Sequence, residues 1–206
     1  MFLAKICGLS EIIHVEKCIE YGANMCGFIL FYPKSHRNLS LDKAKELTSL
    51  KHSKSNVAVM VQPNKSQLES IKNLNFQYYQ IYGDQDPDEI NKIKKRYGVK
   101  IIKALTIETR EDVLKYKKYE AADIMLFDSI GKEKSLSFDH SLLKDVSKNV
   151  IKMIAGNIQI QNLEKISKIA DIVDVSSAVE TEKKKDLTKI KEFLLKIKEI
   201  NENRTV

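Results

Sequence analysis

The residues of this 206-residue chain best able to exchange protons or grip an anion fall at the ends of short apolar runs. KICG (5–8) ends one run in the thiol of Cys7, with a glycine directly after it. DIMLFD (123–128) ends in the carboxylate of Asp128, IAGN (154–157) in a glycine turn, and DVSS (174–177) in paired hydroxyls. A thiol titrates near pH 8.5, so a modest downward shift supplies thiolate near neutrality. An aspartate is ionised at pH 7 and donates a proton only when burial or nearby negative charge raises its pKa. Each feature also has a plainer reading: a packed thiol, a carboxylate capping the next loop, an ordinary turn, a helix N-cap. Cys7, Cys18 and Cys26 form no CxxC and have no neighbouring histidine pair, which argues against a disulfide framework or a metal site. Cys18 lies in a helical pattern (HVEKCIEYG) and Cys26 in a strand pattern (MCGFIL), and both read as core thiols.

The elements that must position these groups follow from apolar periodicity. Strand character occurs at 3–7, 25–30, 56–61, 76–82, 99–104, 123–128, 150–155 and 171–176. Each run is followed by a segment with helical spacing: EIIHVEKCIEYG, which stops at Gly22; LDKAKELTSL, capped by Ser40; then SQLESIKNL, PDEINKIKKRYG, REDVLKYKKY, DHSLLKDVS, IQNLEKISKIA and KKDLTKIKEFLLKIKEI. Pro33, Pro63 and Pro87 all fall in connections. Eight βα units of roughly 26 residues suit a small (β/α)8 barrel, a single α/β domain over 1–206, better than a doubly wound open sheet. In a barrel the strand C-termini form the active face, and there the thiol, the carboxylate, the glycine turn and the hydroxyls converge. Alternation puts Lys5 with Cys7, Ile101 with Lys103, Leu126 with Asp128 and Asp174 with Ser176 on common sides of their strands. Charges inside strands need partners or a wet cavity, which predicts a polar lumen near the top.

Composition excludes several classes. No apolar run approaches the roughly 18–20 residues that span a bilayer, and Lys5 interrupts the N-terminal apolar stretch, so a cytoplasmic protein without membrane contact is expected. The formal net charge is +7, but the lysines are interleaved with glutamates at helical spacing, as in KEFLLKIKEI. That pattern describes solvated helix faces rather than a nucleic-acid surface, and the positive field favours a small anionic substrate. A monomer and a homodimer both suit such a barrel.

KICG, GFILFYPKSHRNLS, VMV, QIYG, IIKA, the strand-ending Asp128, IAGN and DVSSAVE occur in one order over residues 3–197, and together they resemble the phosphoribosylanthranilate isomerase family of tryptophan biosynthesis. The resemblance implies an Amadori rearrangement of N-(5-phosphoribosyl)anthranilate to 1-(o-carboxyphenylamino)-1-deoxyribulose 5-phosphate, without metal or organic cofactor. It implies Cys7 as general base and Asp128 as general acid. It further implies that Arg37 binds the anthranilate carboxylate, that Tyr82 and Asp174 line the substrate pocket, and that Ala155, Gly156, Asn157, Ser176, Ser177 and Ala178 hold the phosphate, where turns and short-helix termini favour an anion.

Four positions depart from the family pattern. Asn157 replaces the second of two glycines, and asparagine tolerates positive φ better than most residues. Ala178 replaces a glycine after the paired serines, and Tyr82 a strand-four histidine. The glycine-rich GGxGxxFDW stretch, expected to close over substrate, is SIGKEKSLSFDHSLL here, keeping Gly131 and the SFD end but no tryptophan. Two other readings are weaker. Another sugar-phosphate isomerase or epimerase barrel would carry different acid–base residues. A non-catalytic phosphate-ligand-binding barrel would keep the last two loops without the chemistry.

Overall fold

The computed structural model describes residues 1–129 and 138–204. Eight parallel strands follow the predicted runs: β1 (Leu3–Cys7), β2 (Met25–Leu30), β3 (Ser55–Val61), β4 (Tyr78–Tyr82), β5 (Lys100–Ile107), β6 (Ile124–Ser129), β7 (Lys152–Ile154) and β8 (Ile172–Val175). β1 pairs with both β2 and β8, so the sheet closes on itself and an open doubly wound sheet is excluded. β5 runs three residues beyond its predicted end because Thr106 and Ile107 pair with Asp128 and Ser129 of β6.

Helices α1 (Ile12–Glu20), α2 (Leu41–Thr48), α3 (Lys65–Ile71), α4 (Pro87–Tyr97), α5 (Arg110–Leu114), α6 (Leu163–Ser167) and α7 (Leu187–Glu202) lie between or after the strands. Their ends follow local chemistry. The Ser40 hydroxyl accepts from the Lys43 amide, Pro87 opens α4 behind the Asp86 cap, and Gly98 ends α4 at φ 61°.

Four predicted helices differ. IQNLEKISKIA opens with the 3₁₀ turn Ile160–Asn162 and is α-helical only over Leu163–Ser167. REDVLKYKKY gives a five-residue α5 and then a 3₁₀ turn over Lys115–Lys118 that buries nothing. DHSLLKDVS gives only the 3₁₀ turn His140–Asp145, in which Leu143 alone is buried. REDVLKYKKY and DHSLLKDVS each bury little, Val113 in the former and Leu143 and Val146 in the latter, less than the apolar face on which a longer helix packs. The C-terminal helix starts at Leu187 rather than in the lysine run, because the Asp186 carboxylate accepts from the Thr188 and Lys189 amides and caps it there. Lys184–Lys185 instead pairs antiparallel with Glu180–Thr181. The stretch expected to close over substrate, with Gly131, falls mostly on 130–137, outside the described residues.

Two apolar layers result. Ile6, Phe28, Ala58, Ile81, Phe127 and Val173 face outward against helix residues such as Val15, Leu47, Ile90 and Phe193, and Cys18 and Cys26 lie in this outer core. Met25, Val57, Val59, Ile102, Ile124, Leu126, Met153 and Ile172 fill the lumen beneath Cys7. The strand charges separate accordingly. Lys5 points inward and, fully buried, meets Asp174 on the adjoining strand at 2.8 Å, as their direct pairing in the β1–β8 register requires. Gly27 leaves space for that ammonium: a Cβ there would stand 3.0 Å from Lys5 Nζ and 3.1 Å from the Cys7 Cα. Lys103 points outward, donating to the carbonyls of Gly83 at 2.6 Å and Ala104 at 3.2 Å.

Breaking the lumen pair strands a buried charge. Lys5→Met should cost about 3–5 kcal/mol in urea denaturation followed by circular dichroism. Lys5→Met combined with Asp174→Leu should recover most of that loss, because no lone charge is left inside.

Candidate active site

A cavity of about 610 Å³ opens at the C-terminal ends of the strands. Cys7, Arg37, Tyr82, Asp128, Ala155, Gly156, Asn157, Asp174, Ser176, Ser177 and Ala178, the full set singled out from the sequence, all line it. Ile29, Val59, Val61 and Ile158 supply apolar wall, and the volume is in the ordinary range for a small-molecule site.

Cys7 ends β1 and is only 7% exposed. Gly8, at φ 77°, turns the chain away, and its amide and that of Leu9 both donate to the Gly27 carbonyl. A side chain at Gly8 would collide with the aliphatic part of Arg37, which lies across it. Burial pushes the thiol above its ordinary value; Lys5 and Lys185 pull it down and Asp174 pushes it up. The downward shift expected from the sequence is therefore corrected: desolvation disfavours the thiolate more than the nearby cations favour it.

Asp128, on β6, is shifted in the same direction. Burial raises its carboxyl to about 6, against a hydrogen bond from Tyr82 that lowers it. The Tyr82 hydroxyl donates to Asp128 Oδ2 at 2.9 Å, and the Gln80 side-chain amide donates to the Tyr82 oxygen at 3.3 Å. The phenol that replaces the family histidine is thus directed at the carboxylate, and its own proton is held far more tightly than usual by burial.

Arg37 does not extend free into the cavity. Its Nε and Nη2 each donate at 2.6 Å to the two carboxylate oxygens of Glu180, a bidentate pair. Burial alone would raise Glu180, but hydrogen bonds from Arg37 and Lys185 override it and hold the carboxyl down at about 2. Asp174 serves two surfaces at once, lining the cavity and pairing with Lys5.

The turns at which the resemblance places the phosphate have defined backbone conformations. Gly156 stands at φ 86° and Asn157 at φ 48°, so asparagine takes the left-handed conformation a glycine would. A Cβ at Gly156 would overlap the Ser129 hydroxyl. Ala178 lies in the 3₁₀ turn Ser177–Val179 and has no positive φ, so no glycine is needed there. The Ser176 hydroxyl donates at 3.0 Å to the Cys7 carbonyl, tying the β8 loop to β1.

Sequence reasoning missed Gln80, Glu180 and Lys185, and placed Ser129 only by its position at the end of β6. Glu180 closes the DVSSAVE stretch and was legible only as part of a motif. Lys185 is one of three consecutive lysines, which read as a solvated helix face. Gln80 and Ser129 carried no signal beyond their strand positions.

The comparisons with known proteins agree with one another. A family model described as N-(5'phosphoribosyl)anthranilate (PRA) isomerase matches residues 4–196. The N-(5'-phosphoribosyl)anthranilate isomerase of Bacillus cereus strain ATCC 14579 is 33% identical over 95% of this chain and 98% of its own. That of Thermoanaerobacter pseudethanolicus is 32% identical over 97% and 100%. The crystal structure of the Thermotoga maritima phosphoribosyl anthranilate isomerase superimposes with a TM-score of 0.87 at 27% identity, over 97% of this chain and 100% of that one. A phosphoribosyl anthranilate isomerase complex with reduced 1-(o-carboxyphenylamino)-1-deoxyribulose 5-phosphate superimposes with a TM-score of 0.85 at 27% identity, with the same coverage.

The geometry around Asp128 sets its titration. Carboxyl-carbon NMR should show Asp128 titrating near pH 6. In Tyr82→Phe the carboxylate loses its hydrogen-bond donor, so the midpoint should move to higher pH. A midpoint in the ordinary aspartate range, near 4, would show that burial does not desolvate the carboxyl.

Proposed function

The chain belongs to the N-(5'-phosphoribosyl)anthranilate isomerase family, and on that premise we propose a role for each polar group of its cavity. Its activity is the isomerisation of N-(5'-phosphoribosyl)anthranilate, an Amadori rearrangement to 1-(o-carboxyphenylamino)-1-deoxyribulose 5-phosphate. In the proposed sequence Asp128, in its acid form, gives its proton to the ribose ring oxygen as the C1–O bond breaks. The nitrogen lone pair forms the iminium. The Cys7 thiolate then takes the proton from C2, and the C–H electrons become the C1–C2 double bond while the nitrogen regains its lone pair. The resulting enolamine gains a proton at C1 and loses the one on its C2 hydroxyl, leaving the ketose. Each step after ring opening is a proton transfer, so no metal or organic cofactor is called for.

The observation that carries this reading is the presence of Cys7 and Asp128 on the walls of one cavity, with the carboxyl raised to about 6 by burial. A carboxyl in that range keeps a useful fraction of acid near neutrality. The iminium carries positive charge beside the thiol, which favours the thiolate when it is needed. The phosphate is assigned to the turns at Ala155, Gly156 and Asn157 and at Ser176, Ser177 and Ala178, where backbone amides at short-helix starts suit an anion. Arg37 is assigned the anthranilate carboxylate, in exchange with or alongside Glu180. Asp174 is assigned to the sugar hydroxyls, and Tyr82 holds Asp128 at the edge of the pocket. A small-molecule substrate, a cytoplasmic location and a single barrel unit, monomeric or paired, belong to the same proposal. Among the described residues no helix is long and apolar enough to cross a membrane.

The productive form needs protonated Asp128 and ionised Cys7, the reverse of their resting order. That form has the same pH dependence as the resting one, since both carry a single proton between the two groups. The kcat/KM profile should therefore be a bell that rises near pH 6, with Asp128, and falls in the alkaline range, with Cys7.

The direct test follows the loss of substrate fluorescence on turnover. Cys7→Ser and Asp128→Asn should each lower kcat about 10²–10⁴-fold while still binding a reduced product analogue. Arg37→Ala should chiefly raise KM. Near-normal kcat in Cys7→Ser would remove the thiol from the base role.

A further inference from the structure

Two buried charges beside Cys7, Lys185 and Glu180, take no part in the proton transfers. The hairpin after β8 turns through Glu182 (φ 49°) and Lys183 (φ 63°), which brings Lys185 back against Ser176. Its ammonium donates to the Ser176 carbonyl at 2.9 Å, the Ser176 hydroxyl at 3.2 Å and Glu180 Oε1 at 2.6 Å. The Ser176 hydroxyl in turn holds the Cys7 carbonyl. The Lys185 side chain is 2% exposed. Burying an ammonium is costly unless paired, and here the available carboxylate is already engaged by both oxygens with Arg37.

The charges facing the thiol do not cancel. Lys5 pairs with Asp174, while Arg37 and Lys185 share Glu180, with His36 3.7 Å from the same carboxylate, so three permanent cations face two carboxylates. Across the cavity stand Tyr82, whose phenol stays neutral, and Asp128, which is neutral in the productive form. In the productive form the site around Cys7 thus holds a net positive charge where the base must become an anion, and with Asp128 ionised the same groups balance.

We propose that Lys185 is a positioning residue for Cys7: anchored by Glu180 and Ser176, it supplies the unmatched positive charge that stabilises the thiolate. The coupling is reciprocal. Lys185 favours the ionised thiol, and the ionised thiol favours the ammonium, against the burial that pulls the ammonium below its ordinary value. The inference rests on Cys7 as the general base, and it extends that role to a residue in a separate loop.

The test is the pH dependence of Cys7 alkylation by iodoacetamide, with the modified site read by peptide mass spectrometry. Cys18 and Cys26 lie buried in the outer core, and burial pushes Cys26 up to about 12. In Lys185→Met the Cys7 midpoint should rise by about one pH unit, which means roughly tenfold slower alkylation below the midpoint, with kcat/KM falling in step. Lys185→Arg should restore both. Glu180→Gln should move the midpoint the other way, since it removes a negative charge and leaves Lys185 held by Ser176. An unmoved midpoint in Lys185→Met with a wild-type circular dichroism spectrum overturns the proposal. If that variant does not fold, the absence of a downward move in Glu180→Gln overturns it. Because alkylation reads the thiol without turnover, retained kcat in Cys7→Ser would remove the base reading and leave the Lys185 result standing.

Discussion

A lysine ammonium sealed inside the barrel is the interaction on which the site rests. Lys5 has no exposure and one carboxylate to meet, Asp174, which the β1–β8 register sets directly beside it. The pair therefore fixes the seam where the barrel closes, because a one-residue slip would turn one partner out of the lumen. It also demands the missing side chain at Gly27, on the adjoining strand β2, since any Cβ there would press on the ammonium. Cys7 stands one alternation above Lys5 on the same strand, so the reactive thiol inherits both its position and part of its electrostatic field from this pair.

Burial raises the pKa of both proposed reacting groups, with opposite consequences for their proposed roles. It raises Asp128 into the range where a carboxylic acid persists at neutral pH, which suits a proton donor. The same loss of water raises Cys7 and so works against a proton acceptor. The surroundings answer that asymmetry. Asp128 receives neutral hydrogen-bond partners, Tyr82 and then Gln80, which orient it without a formal charge. Cys7 receives cations from both sides, Lys5 from within its own strand and Lys185 from the β8 hairpin. A lower dielectric strengthens those Coulomb attractions as it penalises the thiolate, so the cations act most effectively at the place where they are needed.

The strands and their C-terminal ends were legible in the sequence because apolar runs of strand length bounded by polar punctuation have few other interpretations. Cys7, Tyr82, Asp128, Ala155, Gly156, Asn157, Ser176 and Ser177 followed from that register, Arg37, Asp174 and Ala178 from the family resemblance, and each lines the cavity. What was not legible depended on context that periodicity does not encode. DHSLLKDVS has helical spacing, yet it buries only Leu143 and Val146 and stops at a single 3₁₀ turn. KKKD reads as an exposed helix start, but the Asp186 carboxylate caps α7 at Leu187, beyond the lysines, and releases Lys185 into a hairpin. The direction of the Cys7 shift also escaped, since a thiol's burial is a property of the packed barrel and not of the KICG stretch. Likewise Arg37 was readable as a carboxylate binder, but its partner within the protein lies 143 residues away.

The connections after β7 and β8 show how two glycines of the family pattern can change while the backbone keeps conformations that suit the proposed phosphate turns. What an anion meets at these turns is backbone direction, and Asn157 keeps the left-handed turn while Ala178 sits where an ordinary φ already suffices. Side-chain identity is constrained elsewhere, at Ser176 and Glu180. Ser176 ties the β8 connection to the Cys7 backbone, and Glu180 holds Arg37 against Gly8 and Lys185 against Ser176. One short segment thereby links the proposed phosphate turn, the proposed carboxylate-binding arginine and the thiol. Hydrogen bonds through Ser176 and Glu180 resist movement of Cys7 and Arg37, so the proposed sites for the two charged ends of the substrate and the proposed base share a single frame.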